Sequence, residues 1–190
     1  MVHKMIHEWR TYRLKTGAAT EYLSLLYDHG LPFVTRHLPL TGYWLAESGP
    51  LNVIHHLWSY ADWAEREASR TALAQEEQWT KGFLPKAFAL VEEQENRFLR
   101  LTTSSPGFDT ALKQRRSAHA VRDQGQPLYA AQCAAFTIGN DSGDSIATWD
   151  ILSGKSYGSS LMLLPRSADP LSAAFGTDHV VLRPLAFSPL

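Results

Sequence analysis

A chain of 190 residues with 18 Lys+Arg against 19 Asp+Glu has a formal net charge of −1, and 44% of its residues are hydrophobic. That composition is globular rather than disordered, its length suits one large domain or two small ones, and its near-neutral balance excludes a nucleic-acid partner gripped by phosphate neutralisation. A single cysteine, Cys133, excludes an intrachain disulfide framework and a multi-cysteine zinc site, and fits a reducing, cytoplasmic setting.

The opening residues interleave His3, Lys4, His7, Glu8, Arg10 and Arg13 with apolar ones, unlike the apolar run of a secretory leader. No apolar stretch is long enough to span a bilayer as a helix, so no membrane span is expected. Residues 5–14 are dense in β-formers and end at Lys15-Thr16-Gly17, a strand and a turn. Ile6, Glu8, Arg10, Tyr12 and Leu14 share one face of that strand; His7, Trp9, Thr11 and Arg13 share the other. Neither face is wholly polar, so protein is expected on both sides.

Tyr22, Leu23, Leu26 and Tyr27 then recur at helical spacing. Gly30-Leu31-Pro32 predicts an interruption, followed by a second helical stretch around Phe33, Val34 and His37 that Pro39 and Gly42 end. A hairpin follows, with strands over 43–47 and 52–60 and a turn at Ser48-Gly49-Pro50-Leu51. Placing Glu47 opposite Asn52 aligns Leu45 with Ile54 and Tyr43 with His56. One face then shows Tyr43, Leu45, Glu47, Asn52, Ile54, His56 and Trp58; the other shows Trp44, Val53, His55 and Leu57.

Asp62-Trp63-Ala64-Glu65 has the form of a capping box and opens a helical stretch to about residue 94, with a break expected over 82–85. Residues 98–101 read as a fourth strand and 102–107 as a linker. The order β-α-β-β-α-β predicts a four-stranded antiparallel sheet with helices on one face, a ferredoxin-like unit over residues 1–106. Residues 107–190 predict a shortened, mostly β second repeat. It comprises a helix over 109–122, a strand over 128–138, a turn over 139–144 with no room for a helix, a hairpin of 146–152 with 157–164, a short helical turn near 171–175 and a last strand over 179–185. One internal match links the halves: Leu99-Arg100-Leu-Thr-Thr-Ser-Ser105-Pro106 lies over Leu182-Arg183-Pro-Leu-Ala-Phe-Ser188-Pro189 with four of eight positions identical.

Several of these segments resemble the NIPSNAP family. The run Glu8-Trp-Arg-Thr-Tyr-Arg-Leu-Lys15 with Gly17 is similar to its opening strand. Gly42-Tyr-Trp-Leu-Ala-Glu47-Ser-Gly49-Pro-Leu-Asn52 is similar to its hairpin. His56-Leu-Trp58-Ser-Tyr60, followed by Arg66, Arg70 and Trp79, is similar to its third strand and second helix, and Phe187-Ser-Pro-Leu190 to its C-terminal signature. The resemblance covers residues 3–101 well and residues 107–190 poorly except at the end. It implies a dimeric α+β barrel, in which two ferredoxin-like units pack sheet against sheet around a cavity. The shortened second half leaves open whether the barrel closes within one chain or in a homodimer. The wider superfamily includes cofactor-independent monooxygenases, polyketide cyclases, muconolactone isomerases and haem enzymes, so fold alone does not name a reaction.

The face of Tyr43, Glu47, Asn52, His56 and Trp58 is the candidate site, because aromatics with a few polar groups build a small-molecule pocket. His56 and Glu47 are the candidate proton-transfer groups, the carboxylate if burial raises its pKa. Arg10 and Tyr12 are placed to hold an anionic or enolic oxygen. The same residues also have a plainer role as sheet core, with Glu47 and Asn52 serving the turn and Arg10 paired to Glu8 or Glu47. Glu65, Arg66, Glu67 and Arg70 read as a solvated helix face, Trp63, Trp79 and Phe88 as packing on the sheet, and Cys133 as buried packing.

Among the eight histidines His3 and His7 are four apart but on a strand segment rather than one turn apart on a helix, and His55 and His56 point to opposite faces, so no metal is expected. No dinucleotide or phosphate loop and no nucleophile elbow occurs. The first functional reading is a small-molecule-binding barrel acting without cofactor, by proton transfer, cyclisation or oxygenation, on an aromatic or polyketide-like metabolite. The second is a non-catalytic dimerisation or interaction protein; the third is haem bound through one axial histidine.

Overall fold

Alternating burial along the first strand fixes how the sheet is used. In the computed structural model, which describes residues 5–139, 144–172 and 178–190, β1 (Ile6–Leu14) pairs with both β3 (Val53–Tyr60) and β4 (Val91–Ser104). The hairpin partner of β3 is β2 (Leu40–Ala46), in the expected register: Tyr43 faces His56 and Leu45 faces Ile54. Every residue of β3 is buried, because protein covers both faces of the sheet.

The second half contributes β5 (Cys133–Gly139), β6 (Ala147–Ser153), β7 (Ser160–Ser167) and β8 (Asp178–Pro184). The eight strands close into a barrel in the order β1-β3-β2-β8-β5-β7-β6-β4. Within it the first half runs β4-β1-β3-β2 and the second runs β8-β5-β7-β6, so the second half repeats the strand order of the first. Two antiparallel seams join them, β2 to β8 through Trp44–Pro184 and Ala46–Leu182, and β4 to β6 through Phe98–Ser153 and Ser104–Ala147. The barrel therefore closes within one chain. The internal sequence match falls on equivalent strands: β4 and β8 are each the fourth strand of their half, and Leu99 and Leu182 both face the lumen, buried.

The outer face of the first half carries the helices α1 (Ala19–Leu25), α2 (Leu31–His37), α3 (Trp63–Ala74) and α4 (Leu84–Phe88). Asp62 caps α3 by accepting the Glu65 N–H at 2.8 Å, as the capping box predicted, while Glu65 reaches back to the Ala61 N–H, one residue before the cap. The two expected helix breaks are instead widened into π turns, Leu26–Gly30 and Gln78–Phe83. Each precedes a proline, Pro32 and Pro85, whose ring and missing N–H disallow a regular turn but are accommodated by a wider one. The two π turns meet directly: a Cβ on Gly30 would lie 2.7 Å from the Phe83 ring.

The second half has one helix among its described residues, α5 (Pro106–Gln114), shorter than the sequence predicted. Beyond its end the next side chains turn to the first half: Arg115 Nε donates to the Ser59 carbonyl of β3 at 3.0 Å and Arg116 Nη1 to the His37 carbonyl at the end of α2 at 2.6 Å. The strand expected from residue 128 begins at Cys133, leaving Tyr129 a lone bridge to Leu185. Cys133 is half-buried rather than core. The turn expected over 139–144 and the helical turn expected near 171–175 lie partly outside the described residues, as does His3.

Two cores result, one on each face of the first sheet. The lumen is filled by Trp9, Trp44, Leu57, Leu99, Phe136 and Trp149, with the Trp9 and Trp44 rings stacked 5.3 Å apart. Gly42 makes room for this stack, since a Cβ there would fall 2.0 Å from the Trp44 ring. The outer core joins Tyr12, Tyr43, Ile54 and Trp58 of the sheet to Tyr22, Leu26, Val34 and Phe83 above. No helix among the described residues is long and apolar enough to cross a membrane.

Candidate functional site

Alternation sends Arg10, Tyr12, Tyr43, His56 and Trp58 to the outer face, under the helices and away from the lumen. There they floor a cavity of about 300 Å³, room for roughly ten water molecules or a ligand with about as many non-hydrogen atoms. The roof is mostly apolar: Leu26, Val34, Leu38, Leu73, Leu84 and Phe88, with Trp79 from the second π turn. Tyr22, Arg70, Thr80 and Gln94 complete the polar part.

His56 is held on three sides. The Tyr43 ring stacks on it at 4.9 Å and 10°, and the Tyr12 ring meets it edge-on at 4.8 Å. Trp58 Nε1–H donates to His56 Nδ1 at 2.5 Å. An indole nitrogen can only donate, so Nδ1 carries a lone pair. Burial, with Arg10, His55 and Arg70 nearby, holds the imidazole well below its usual pKa, so the ring is neutral and its proton sits on Nε2. That Nε2 is buried with no partner among the described residues. It is a hydrogen-bond donor in waiting. Iron ligation through Nε2 or proton acceptance at Nε2 would need the opposite tautomer, which Trp58 opposes.

The cationic side of the floor is organised by Glu8, which is fully buried. Its carboxylate accepts from Arg66 Nε at 2.9 Å, Arg66 Nη2 at 3.0 Å and Asn96 Nδ2 at 2.8 Å. Arg10 Nη1 lies 3.5 Å and Arg70 Nη1 3.8 Å from the same carboxylate. One buried carboxylate thus serves three guanidiniums; with Arg66 Nη1 also paired to the exposed Glu67 at 2.8 Å, the group carries a formal charge of +1 beside the cavity. Burial raises the phenols of Tyr12, Tyr22 and Tyr43, so each keeps its proton and can donate.

Two expected site residues lie elsewhere. Glu47 sits past the end of β2, paired with Arg183 of β8, and does not line the cavity. Asn52 has φ 59° and its Oδ1 accepts the Gly17 N–H at 3.0 Å, so it serves the turn. Both sit near the hairpin turn, away from the cavity over the middle of the strands. Conversely, Arg66 and Arg70, expected to be solvated, turn inward to Glu8; Arg66 is only 11% exposed. Their spacing of one helical turn, set against a carboxylate on the strand beneath, was the available signal. Tyr22 and Trp79 were visible only as helical-face aromatics. Among the described residues no group of His, Cys, Asp and Glu has metal-binding geometry.

Comparison with known proteins places this arrangement. The family model described as NIPSNAP matches residues 7–106. The chain is 34% identical over 98 residues to human protein NipSnap homolog 3A, a match covering 51% of this chain and 39% of the relative. The chain thus spans well under half the length of that curated relative. A solved NIPSNAP family protein with unknown function from Agrobacterium tumefaciens is 39% identical, with a TM-score of 0.52, covering 55% of this chain and 94% of its own. A structure named as a putative monooxygenase from Fusobacterium nucleatum covers 97% of this chain and 94% of its own, with a TM-score of 0.56 at 10% identity, a likeness of fold alone.

Proposed function

Since the matched region is more than half of its length, the chain belongs to the NIPSNAP family, and from that premise we propose that the outer cavity binds a small, apolar, aromatic-sized molecule through an anionic oxygen. The observation that carries this reading is the one-sided hydrogen-bonding of the floor. His56 Nε2–H, the Arg10 and Arg70 guanidiniums and the protonated Tyr12 and Tyr22 offer donors, while Tyr43 bonds Tyr22. The one buried carboxylate beneath them, Glu8, is already occupied by arginine. A donor-rich floor under an apolar roof suits a carboxylate, phenolate or enolate attached to a ring.

Such a floor favours the deprotonated form of an acidic enol or phenol, whose proton is released to solvent. An enolate so held is activated for cyclisation, isomerisation or reaction with oxygen, as expected for a cofactor-independent enzyme acting on an aromatic or polyketide-like metabolite. His56 acts here as an oxyanion donor rather than a base, and Glu47 and Asn52 have no part. A homodimer is not needed to close the barrel, and a cytoplasmic setting rests on the single cysteine.

The test is titration calorimetry with 1-naphthoate on the wild type, Arg10→Gln and His56→Phe. Each lost donor to a charged oxygen is expected to weaken binding by about tenfold or more. Failure of 1-naphthoate to bind, or binding unchanged in both variants, contradicts the assignment.

A further inference from the structure

Behind His56 the same strand carries His55 into the lumen, where a second cavity of about 470 Å³ opens at one mouth of the barrel. Its inner end repeats the chemistry of the outer site. Trp9 Nε1–H donates to His55 Nδ1 at 3.1 Å and the Thr11 hydroxyl lies 2.9 Å from the same nitrogen. Burial, then Arg97, pushes the imidazole down to about 3, so His55 is neutral with its proton on Nε2. Each of the adjacent histidines is thus fixed in one tautomer by a tryptophan, one on each side of the sheet.

Arg97 stands next to it. Its side chain is only 7% exposed, and Nε is tied to the Lys155 carbonyl at 2.9 Å. Among the described residues the nearest carboxylate to its Nη atoms is Glu95, an ion pair at 3.7 Å but too long for a hydrogen bond. Among the described residues no acceptor hydrogen-bonds the Nη edge of this buried guanidinium, which lines the cavity. Nearer the mouth come carboxylates: Glu95, two residues along β4 on the same face, and Asp178, which begins β8. Arg13 is paired with Glu93, and Lys155 lines the same cavity, so cations and carboxylates both border it. Along β4 the two residues stand about 7 Å apart at the backbone, but their charged atoms approach to 3.7 Å, so the donor and acceptor ends adjoin.

We propose that this lumenal cavity is a second binding site, for a small amino-acid-like zwitterion whose carboxylate lies on Arg97 and His55 and whose ammonium lies between Glu95 and Asp178. A simple anion would meet Glu95 and Asp178, and a simple cation would meet Arg97 and Lys155. Only a molecule with both ends complements both.

The experiment is calorimetric titration of the full chain with β-alanine, 4-aminobutyrate and 6-aminohexanoate, each against its amine-free acid. At least one amino acid is expected to bind about tenfold tighter than its amine-free partner, one added charged contact's worth. Glu95→Gln and Asp178→Asn should each remove most of that advantage, and Arg97→Gln should abolish binding of both partners. The two acidic side chains are on the rim, so their variants decide the matter even if Arg97→Gln does not fold. No preference for any amino acid, or a preference unchanged in Glu95→Gln and Asp178→Asn, overturns the proposal. Naphthoate binding to the outer cavity, measured in parallel, should stay at wild-type strength in both rim variants; its absence would count against the outer site alone.

Discussion

Replacing Glu8 by Gln removes one charge and almost no volume from the centre of the arginine cluster. The wild-type carboxylate accepts from Arg66 twice and Asn96 once at 2.8–3.0 Å, with Arg10 and Arg70 within 4 Å. Glutamine offers one acceptor oxygen where there were two, and its amide must point at a donor. Arg10 and Arg70 are then left without the counter-charge of Glu8, and Arg66 keeps only the exposed Glu67. Breaking a buried ion pair from one side costs about 3–5 kcal/mol. Arg66 and Arg10 are 11% and 14% exposed, and Arg70 37%, so water relieves part of the repulsion and the low end applies. A loss of about 3 kcal/mol in a chain of this size lowers Tm by about 6–12 °C. Thermal unfolding followed by circular dichroism measures it. A shift below about 2 °C would show that Glu8 does not hold the cluster together.

Stability should fall with acid before most carboxylates titrate. His55 and His56 are depressed in the fold, so the unfolded chain binds more protons, and each histidine costs about 1.4 kcal/mol per pH unit below about 6.5; equal urea midpoints at pH 7.5 and 5.5 would contradict it. Trp58→Phe removes the donor that fixes the His56 tautomer, at a cost of about 1–2 kcal/mol. Nitrogen-15 spectra should then show His56 leaving the pure Nε2–H form, and an unchanged tautomer would refute the role given to Trp58. Residues 1–106 alone would expose Trp9, Trp44, Leu57 and Leu99 along a bare lumenal face, so light scattering should find them self-associated; a stable monomer would contradict the need for the second half.

What the sequence disclosed was local. Turn chemistry at Ser48-Gly49-Pro50-Leu51 placed Tyr43 opposite His56, and strand alternation put Arg10 and Tyr12 beside them. Which face looks into the lumen was not legible, because both faces of β1 and β3 are aromatic and both are buried. The Gly-Pro signals correctly marked irregular helix but not its form, since the contact of Gly30 with Phe83 is tertiary. Charge on α3 suggested solvent; a buried carboxylate on the strand beneath it, invisible to helix periodicity, turned Arg66 inward. In the second half the helix ends early, and beyond it Arg115 and Arg116 find carbonyl partners on the first half.

The donor-lined outer cavity is tested most directly by a matched pair, 1-naphthoate and the neutral 1-naphthamide, titrated into the wild-type chain. The two share a ring and a shape and differ in the charge on the oxygen. The carboxylate is expected to bind about tenfold or more tighter than the amide. Equal binding of the two, or preference for the amide, would contradict an oxyanion site on Arg10 and His56.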